Sequence, residues 1–310
     1  MSTTPRKPAA APTVARLLAS ATRQLQRAGV QCLQGTADWR DEAAAIIWHE
    51  LGLDHADPRA GERLVSPAEH ERCQALLQRR ASERIPSAYL LGEAWFCGLP
   101  FHVDRRVLIP RSPFAELIEA RFSPWLDAGD APRILEIGTG SGCIAIACAL
   151  AFPGAEVVAT DISADALAVA ATNVARHGVG ARLRLLHADL YDGVDGRFDL
   201  ILSNPPYVPE SDLRAMPPEL AWEPRAALAG GGADGLDLVR RIIAGAAAQL
   251  RPSGWLAVEV GAGMAALERS FPRMAFVWPE FARGGDGIAL VAAGDLPGDN
   301  DGPAAMASGG

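Results

Sequence analysis

Positions 136–142 read Glu-Ile-Gly-Thr-Gly-Ser-Gly, directly after the apolar run 133–137 and before an apolar segment that starts at Cys143. Glycines in such a turn let the backbone approach a ligand, and the N–H groups at the start of the following helix favour a negatively charged group. Asp161 closes the next apolar run, at the distance of roughly 20 residues where a carboxylate accepts both hydroxyls of a ribose. A run of glycines alone is only a tight turn; between a strand and a helix, with an acid at the end of the next strand, it becomes a ligand loop. The ligand implied contains a nucleoside.

The glycines Gly138, Gly140 and Gly142 are spaced G-x-G-x-G, not in the G-x-G-x-x-G of dinucleotide enzymes, and Glu136 stands two residues ahead of the first. That combination resembles class I methyltransferases that use S-adenosylmethionine. The amino and sulfonium groups of that cofactor are cationic and it has no pyrophosphate, so carboxylates around its methionine end make electrostatic sense. The resemblance implies cofactor contacts at Glu136, Gly138, Thr139, Gly140, Ser141, Gly142, Asp161, Ile162, Asp189, Leu190 and Asn204. By position Asp189 would accept from the adenine amino group and Leu190 would lie against the ring; a solvated loop aspartate is the alternative reading.

Ser203-Asn204-Pro205-Pro206-Tyr207 follows the apolar strand 198–203, at the carboxyl end of the sheet where open α/β folds bind ligands. An amide or aromatic exocyclic nitrogen is a poor nucleophile because its lone pair is delocalised into the adjoining π system. Catalysis must therefore hold both N–H bonds and direct the lone pair at the methyl group. Asn204 offers a side-chain carbonyl, and the carbonyl of Pro205 offers a second acceptor on a residue with restricted φ and no N–H. Pro206 and Tyr207 complete the expected substrate grip, with the Tyr207 ring packed on the planar substrate group or facing the sulfonium. The catalytic assignment is Asn204, Pro205 and Tyr207, acting by orientation and by acceptors that strengthen as charge builds on nitrogen. No metal and no perturbed general base enters this scheme.

In order and type these motifs look like the protein N5-glutamine methyltransferases, which modify a glutamine side-chain amide in release factors or in a ribosomal protein. The resemblance spans roughly residues 14–292. Members acting on release factors typically carry Ile-Pro-Arg-Pro-Glu-Thr-Glu before the first helix of the catalytic domain; here the chain reads Ile109-Pro110-Arg111-Ser112-Pro113-Phe114-Ala115-Glu116. With Arg84-Ile85-Pro86, Ala88-Tyr89-Leu90 and Ala94-Trp95-Phe96-Cys97-Gly98, this is similar to the branch that methylates the third protein of the large ribosomal subunit. The partner implied is that protein, free or in an assembling subunit with RNA nearby. Leu190 departs from the release-factor branch, where a bulkier aromatic is common. Two rivals are a nucleic-acid aminomethylase acting on adenine N6 or guanine N2, and a non-catalytic assembly factor with the same fold.

Strands near 133–137, 156–160, 182–187, 198–203 and 255–260, most of them separated by helical segments, must position these residues. They predict an α/β, Rossmann-like, mostly parallel sheet. The segments 275–278 and 288–292, joined without a clear helix, are expected to add an antiparallel edge strand. Ahead of this methyltransferase domain (111–292) the pattern gives a helical substrate-docking domain (13–85) with a capping box at Ser66-Pro67-Ala68-Glu69. A β-hairpin connector (86–110) joins the two, and disordered tails are expected at 1–12 and 293–310.

The chain has 310 residues, 49% hydrophobic and 21% charged, with formal net charge −8 and 5 cysteines. Wholesale disorder is excluded, and the acidic balance speaks against a protein built to grip long nucleic acid. Cysteines at wide spacing suit free thiols in a reducing compartment, and no apolar run suffices for a signal peptide or bilayer span. These features point to the cytoplasm. Arg79, Arg80, Arg84, Arg105, Arg106 and Arg111 around the connector form either a basic face toward RNA or a solvated set paired with Glu83, Glu93 and Asp104. Trp39, Trp48 and Trp95 are expected in the core.

Overall fold

The computed structural model describes residues 11–297 except 128 and 130. Contacts divide the chain at Gly92/Glu93 into two compact units.

The first unit is helical. Helix α1 (Val14–Arg27) turns Val14, Leu17, Leu18, Ala21 and Leu25 inward. Helix α2 (Trp39–Leu51) is capped by Asp38 and stopped by Gly52 in the left-handed region. In α3 (Pro67–Glu83) the capping box forms in both directions: Ser66 Oγ accepts from the Glu69 N–H, and the Glu69 carboxylate accepts from the Ser66 N–H. Their apolar stripes meet in one core of Leu17, Leu25, Ile46, Ile47, Cys73 and Leu77. Inside it Arg80 and Glu42 form a buried ion pair, and the Arg80 guanidinium also donates to the Gln31 carbonyl. Arg80 is thus a core residue and not part of a basic face. A fourth helix, α4 (Ser87–Leu91), occupies the start of the expected extended connector, and Gly92 in the left-handed region ends it.

The second unit opens with the hairpin β1 (Glu93–Phe96) and β2 (Leu99–His102), paired antiparallel. On β1 the burial alternates, so Phe96 packs inward while Trp95 faces out and is 54% exposed; period-two alternation, not residue size, decided its side. Helix α5 (Phe114–Glu119) follows, with Ser112 Oγ accepting from the Phe114 N–H. Then strand and helix alternate: β3 (Arg133–Ile137), α6 (Cys143–Ala151), β4 (Glu156–Asp161), α7 (Ala164–His177), β5 (Leu183–His187) and β6 (Phe198–Ser203). A short helix α8 (Glu210–Leu213), then α9 (Asp237–Gln249), β7 (Leu250–Glu259), α10 (Met264–Ser270) and β8 (Ile288–Ala292) complete the unit.

The sheet order is β5-β4-β3-β6-β7-β8, parallel except for β8, which runs antiparallel to β7. Helices cover both faces, so β6 is buried at every position, as a central parallel strand must be. The chain runs from β3 outward through β4 to β5 and then returns to β6 on the other side of β3. Such a reversal opens a crevice at the carboxyl ends of the two central strands.

Three segments differ from the sequence expectation. Strand β7 begins at Leu250, ahead of the apolar stretch, through Arg251 and Ser253, with a register shift against β6. The segment 275–278 contributes only an isolated bridge, Val277 to Leu290. Of the expected tails, 1–10 and 298–310 lie outside the described residues. The described ends are anchored: the Pro12 carbonyl accepts from the Val65 N–H, and Leu296, after a 3-10 turn at Ala293–Asp295, is buried against the sheet. Among the described residues no helix is long and apolar enough to cross a membrane.

Candidate functional site

The crevice holds a cavity of about 280 Å³. Its walls include Glu136, Gly138, Thr139, Gly140 and Ser141 after β3, Asp161 and Ile162 after β4, Asp189 and Leu190 after β5, and Asn204, Pro205 and Pro206 after β6. Two of the expected site residues, Gly142 and Tyr207, are not among the lining residues. The connector (Val107, Leu108, Pro110 to Ser112), the segment around Pro224, Ala226 and Ala227, and Leu238, Arg241 and Ile242 of α9 close the other sides.

The glycine turn is fastened to β4. The N–H groups of Gly138 and Thr139 both donate to the Thr160 carbonyl, at 2.8 and 2.9 Å. Asp161 Oδ2 accepts from the Gly140 N–H at 2.9 Å and Oδ1 from the Ser163 N–H at 2.8 Å. Asp161 therefore shapes the turn as well as lining the cavity, while Ser163 performs the helix capping. Burial raises the Asp161 carboxyl above its ordinary value, against the lowering effect of those backbone N–H groups. Gly142 serves packing instead. A Cβ there would lie 3.3 Å from the Ala170 Cβ and the Ile146 Cδ1, so the glycine lets α6 pack against α7.

Glu136 is almost wholly buried. Its Oε2 accepts from Thr139 Oγ1 at 2.5 Å and from the Ala145 N–H at 2.9 Å. Burial outweighs both bonds and pushes the carboxyl up to about 8. On the far wall Leu190 takes a positive φ of 53°, a conformation that costs a non-glycine residue about 1–3 kcal/mol. The Thr160 hydroxyl, 3.2 Å from the Leu190 carbonyl, donates to it. Asp189 is half-exposed and paired at 2.8 Å with Arg241, a neighbour that no local sequence pattern announced.

At the end of β6, Asn204 is half-buried and Pro205 buried. Neither the Asn204 side chain nor the Pro205 carbonyl receives a hydrogen bond from a described residue. Tyr207 is turned away: its hydroxyl donates to Glu259 Oε1 at 2.9 Å. The ring, expected against the substrate, stands outside the residues that line the cavity. The chain at Gly235 packs on the backbone of this turn so closely that a Cβ there would fall 2.8 Å from the Pro209 nitrogen.

The connector is held by carboxylates that sequence reading missed. Arg111 grips Glu223 in bidentate fashion at 2.6 and 2.7 Å, and the Ile109 N–H donates to the same carboxylate at 3.1 Å. Arg106 is paired with Asp104, and the Arg105 guanidinium lies 4.4 Å from the Trp222 ring centroid. In the first unit Arg79 pairs with Glu83 and Arg84 donates to the Ala28 carbonyl. These arginines are occupied within the protein. Asn173, also missed, is buried and donates to the Ser141 and His102 carbonyls, both at 2.9 Å, tying the hairpin to the glycine turn. The one legible signal was at Glu259: an acid ending a buried apolar strand, as Asp161 does on β4.

Residues 16–92 match the family described as the PrmC N-terminal domain, and residues 122–233 match the methyltransferase small domain. The chain is 44% identical over 283 residues to the ribosomal protein uL3 glutamine methyltransferase of Bordetella pertussis, covering 90% of this chain and 94% of that one. The proteins of the same description from Xanthomonas campestris (44% over 286 residues, 92% of each chain) and Neisseria meningitidis serogroup B (42% over 282 residues, 90% and 92%) are similarly close.

Proposed function

Because the chain belongs to the family of ribosomal protein uL3 glutamine methyltransferases, we propose that it methylates the side-chain amide nitrogen of a glutamine in uL3, with S-adenosylmethionine as donor. The observation that carries the reading is the pair of acceptors at Asn204 and Pro205. They lie beside the carboxylate-lined turn, and no described donor occupies either. A substrate of that kind puts the enzyme's work in the cytoplasm, on uL3 itself or on a subunit being assembled.

The residues present fit the cofactor. Glu136 and Asp161 bring two carboxyl groups to the cavity, the glycine turn lines it, and Leu190 and Ile162 supply apolar contact near Asp189. When bound, S-adenosylmethionine supplies an electrophilic methyl group on a sulfonium. Asn204 and the Pro205 carbonyl accept the two amide N–H bonds of the glutamine, turn its lone pair toward that methyl, and stabilise the charge that builds on nitrogen. Val107, Leu108 and Pro110 of the connector and Pro224, Ala226 and Ala227 bring apolar side chains to the same cavity.

Two smaller effects follow. With its pKa of about 8, Glu136 is mostly protonated at pH 7. A cation beside it lowers that pKa, so cofactor binding releases a proton. Affinity therefore rises with pH by up to about tenfold per unit until roughly pH 8 and levels off above it. Calorimetry in buffers of different ionisation heat measures the released proton, and Glu136→Gln abolishes the slope. Asp189→Ala weakens cofactor binding by only about 1 kcal/mol, because a half-exposed carboxylate already paired with Arg241 has little left to offer. A loss of two orders of magnitude in the same titration would assign it a larger part.

Mass spectrometry after incubation with S-adenosylmethionine and either purified uL3 or a release factor tests the proposal. One added methyl on a glutamine of uL3 alone is expected. Methylation of the release factor alone would overturn the substrate assignment.

A further inference from the structure

Glu259, the last residue of β7, has no part in the scheme above, yet it is buried beside the cavity. Each of its oxygens takes one hydroxyl: Oε1 that of Tyr207 at 2.9 Å and Oε2 that of Ser112 at 2.6 Å. The donors belong to two different walls of the site, the end of the Asn-Pro-Pro-Tyr turn and the connector. The next connector residue, Arg111, holds Glu223, and the chain beyond Glu223 returns to the turn, where the Leu228 carbonyl accepts from the Val208 N–H at 2.9 Å. A ring of hydrogen bonds thus closes around the site, and Glu259 is the point where turn and connector share one anchor.

Resting on the functional reading above, we propose that Glu259 is a positioning residue for methyl transfer. Through Tyr207 and Ser112 it fixes the Asn-Pro-Pro-Tyr turn against the connector, and so sets the angle at which Asn204 and Pro205 hold the substrate amide. Among the described residues the turn has no ladder beyond one bridge, Val208 to Ala229, and the phenol–carboxylate bond tethers it through a side chain. Orientation is what this chemistry depends on, and a misplacement of about 1 Å costs on the order of 100-fold in rate.

Ionisation makes the tether testable. The charged and titratable groups facing this anchor are Arg111 from the connector, Tyr207 from the turn and Asp286 from the loop before β8. Burial pushes the Glu259 carboxyl up to about 7, against the lowering effect of the Ser112 and Tyr207 bonds and of Arg111. Ionised, it accepts from both hydroxyls. Protonated, it loses the charge that strengthens both bonds and one oxygen turns from acceptor to donor, so the tether weakens as pH falls through about 7.

The protein has three tyrosines, so 13Cζ-tyrosine labelling with Tyr207→Phe as the assignment standard isolates the Tyr207 resonance. In the wild-type protein it is expected to shift as pH is lowered from about 8 to about 6, and in Glu259→Gln to stay put. In turnover with uL3 at saturating cofactor, Glu259→Ala is expected to lower kcat roughly 100-fold with cofactor Kd changed less than about threefold. Glu259→Gln, which like the protonated acid offers one acceptor and one donor and does not titrate, is expected to hold kcat near the wild-type low-pH level at every pH. A Tyr207 resonance indifferent to both pH and Glu259→Gln would overturn the tether. An unchanged kcat in Glu259→Ala, or a parallel collapse of cofactor affinity and melting temperature, would overturn the positioning role. A wild-type enzyme that leaves uL3 unmodified would sink the functional reading instead, while the resonance would still decide the tether.

Discussion

Asn204→Ala is expected to cut methylation of uL3 by roughly 1,000-fold in kcat while changing S-adenosylmethionine affinity by less than about fivefold. The side chain is half-buried at the end of β6, lines the cavity and makes no hydrogen bond to a described residue. Its removal therefore leaves no buried partner unsatisfied, and the fold loses little. What is lost is one of two acceptors aimed at the amide N–H bonds. The remaining Pro205 carbonyl cannot fix the plane of the amide alone, so the lone pair stays delocalised and misdirected. Single-turnover kinetics beside a calorimetric cofactor titration separates the two quantities. Equal losses in rate and cofactor affinity would show that Asn204 serves cofactor binding first, and a retained methylation rate would remove it from catalysis.

The second large effect belongs to Asp161. Replacing it with alanine is expected to weaken cofactor binding by about 1.5–3 kcal/mol, roughly 10- to 150-fold in Kd. Two contributions add. One is the hydrogen bonds the carboxylate would accept from ribose hydroxyls. The other is its hold on the Gly140 and Ser163 N–H groups, which the substitution leaves without their acceptor. Asp161→Asn keeps one acceptor and is expected to fall between the two. With cofactor at saturation kcat returns close to the wild-type value, because Asp161 lies on the cofactor side, away from Asn204. An unchanged Kd in Asp161→Ala would take it out of the site.

On the reading proposed, the two effects divide the site along the sheet, with cofactor residues on β3 and β4 and the acceptor grip on β6. That division is legible without coordinates because each motif sits at the end of an apolar run, and a buried parallel strand must end at the sheet's carboxyl edge. Placement of Glu136, Asp161 and Asn204 around one cavity follows from the strand order. Tyr207 and Gly142 mark where this local reasoning stops. Both belong to motifs that point at a ligand, yet one turns its hydroxyl to Glu259 and the other makes room for Ala170.

The arginines give the same lesson in charge. Six of them near the connector suggested either a basic face or a solvated, paired set. Arg79 and Arg106 pair with near neighbours in sequence, as counting predicts. Arg80 and Arg111 instead bind Glu42 and Glu223, both far away along the chain and both buried. No local spacing distinguishes these two kinds of arginine.

What the sequence determined by itself was whatever depends on neighbours along the chain: the capping box at Ser66, the alternation of strand and helix, the glycine turn with its acid, and the two carbonyls of Asn204-Pro205. Periodicity and backbone chemistry act over a few residues, so they can be read in one dimension. Tertiary structure decided the rest: that Asp189 spends its charge on Arg241, that Trp95 faces outward, and that Ser112 and Tyr207 share Glu259. A buried carboxylate is tolerated only where donors converge on it from elements far apart in the chain, and that convergence exists only once the sheet has formed.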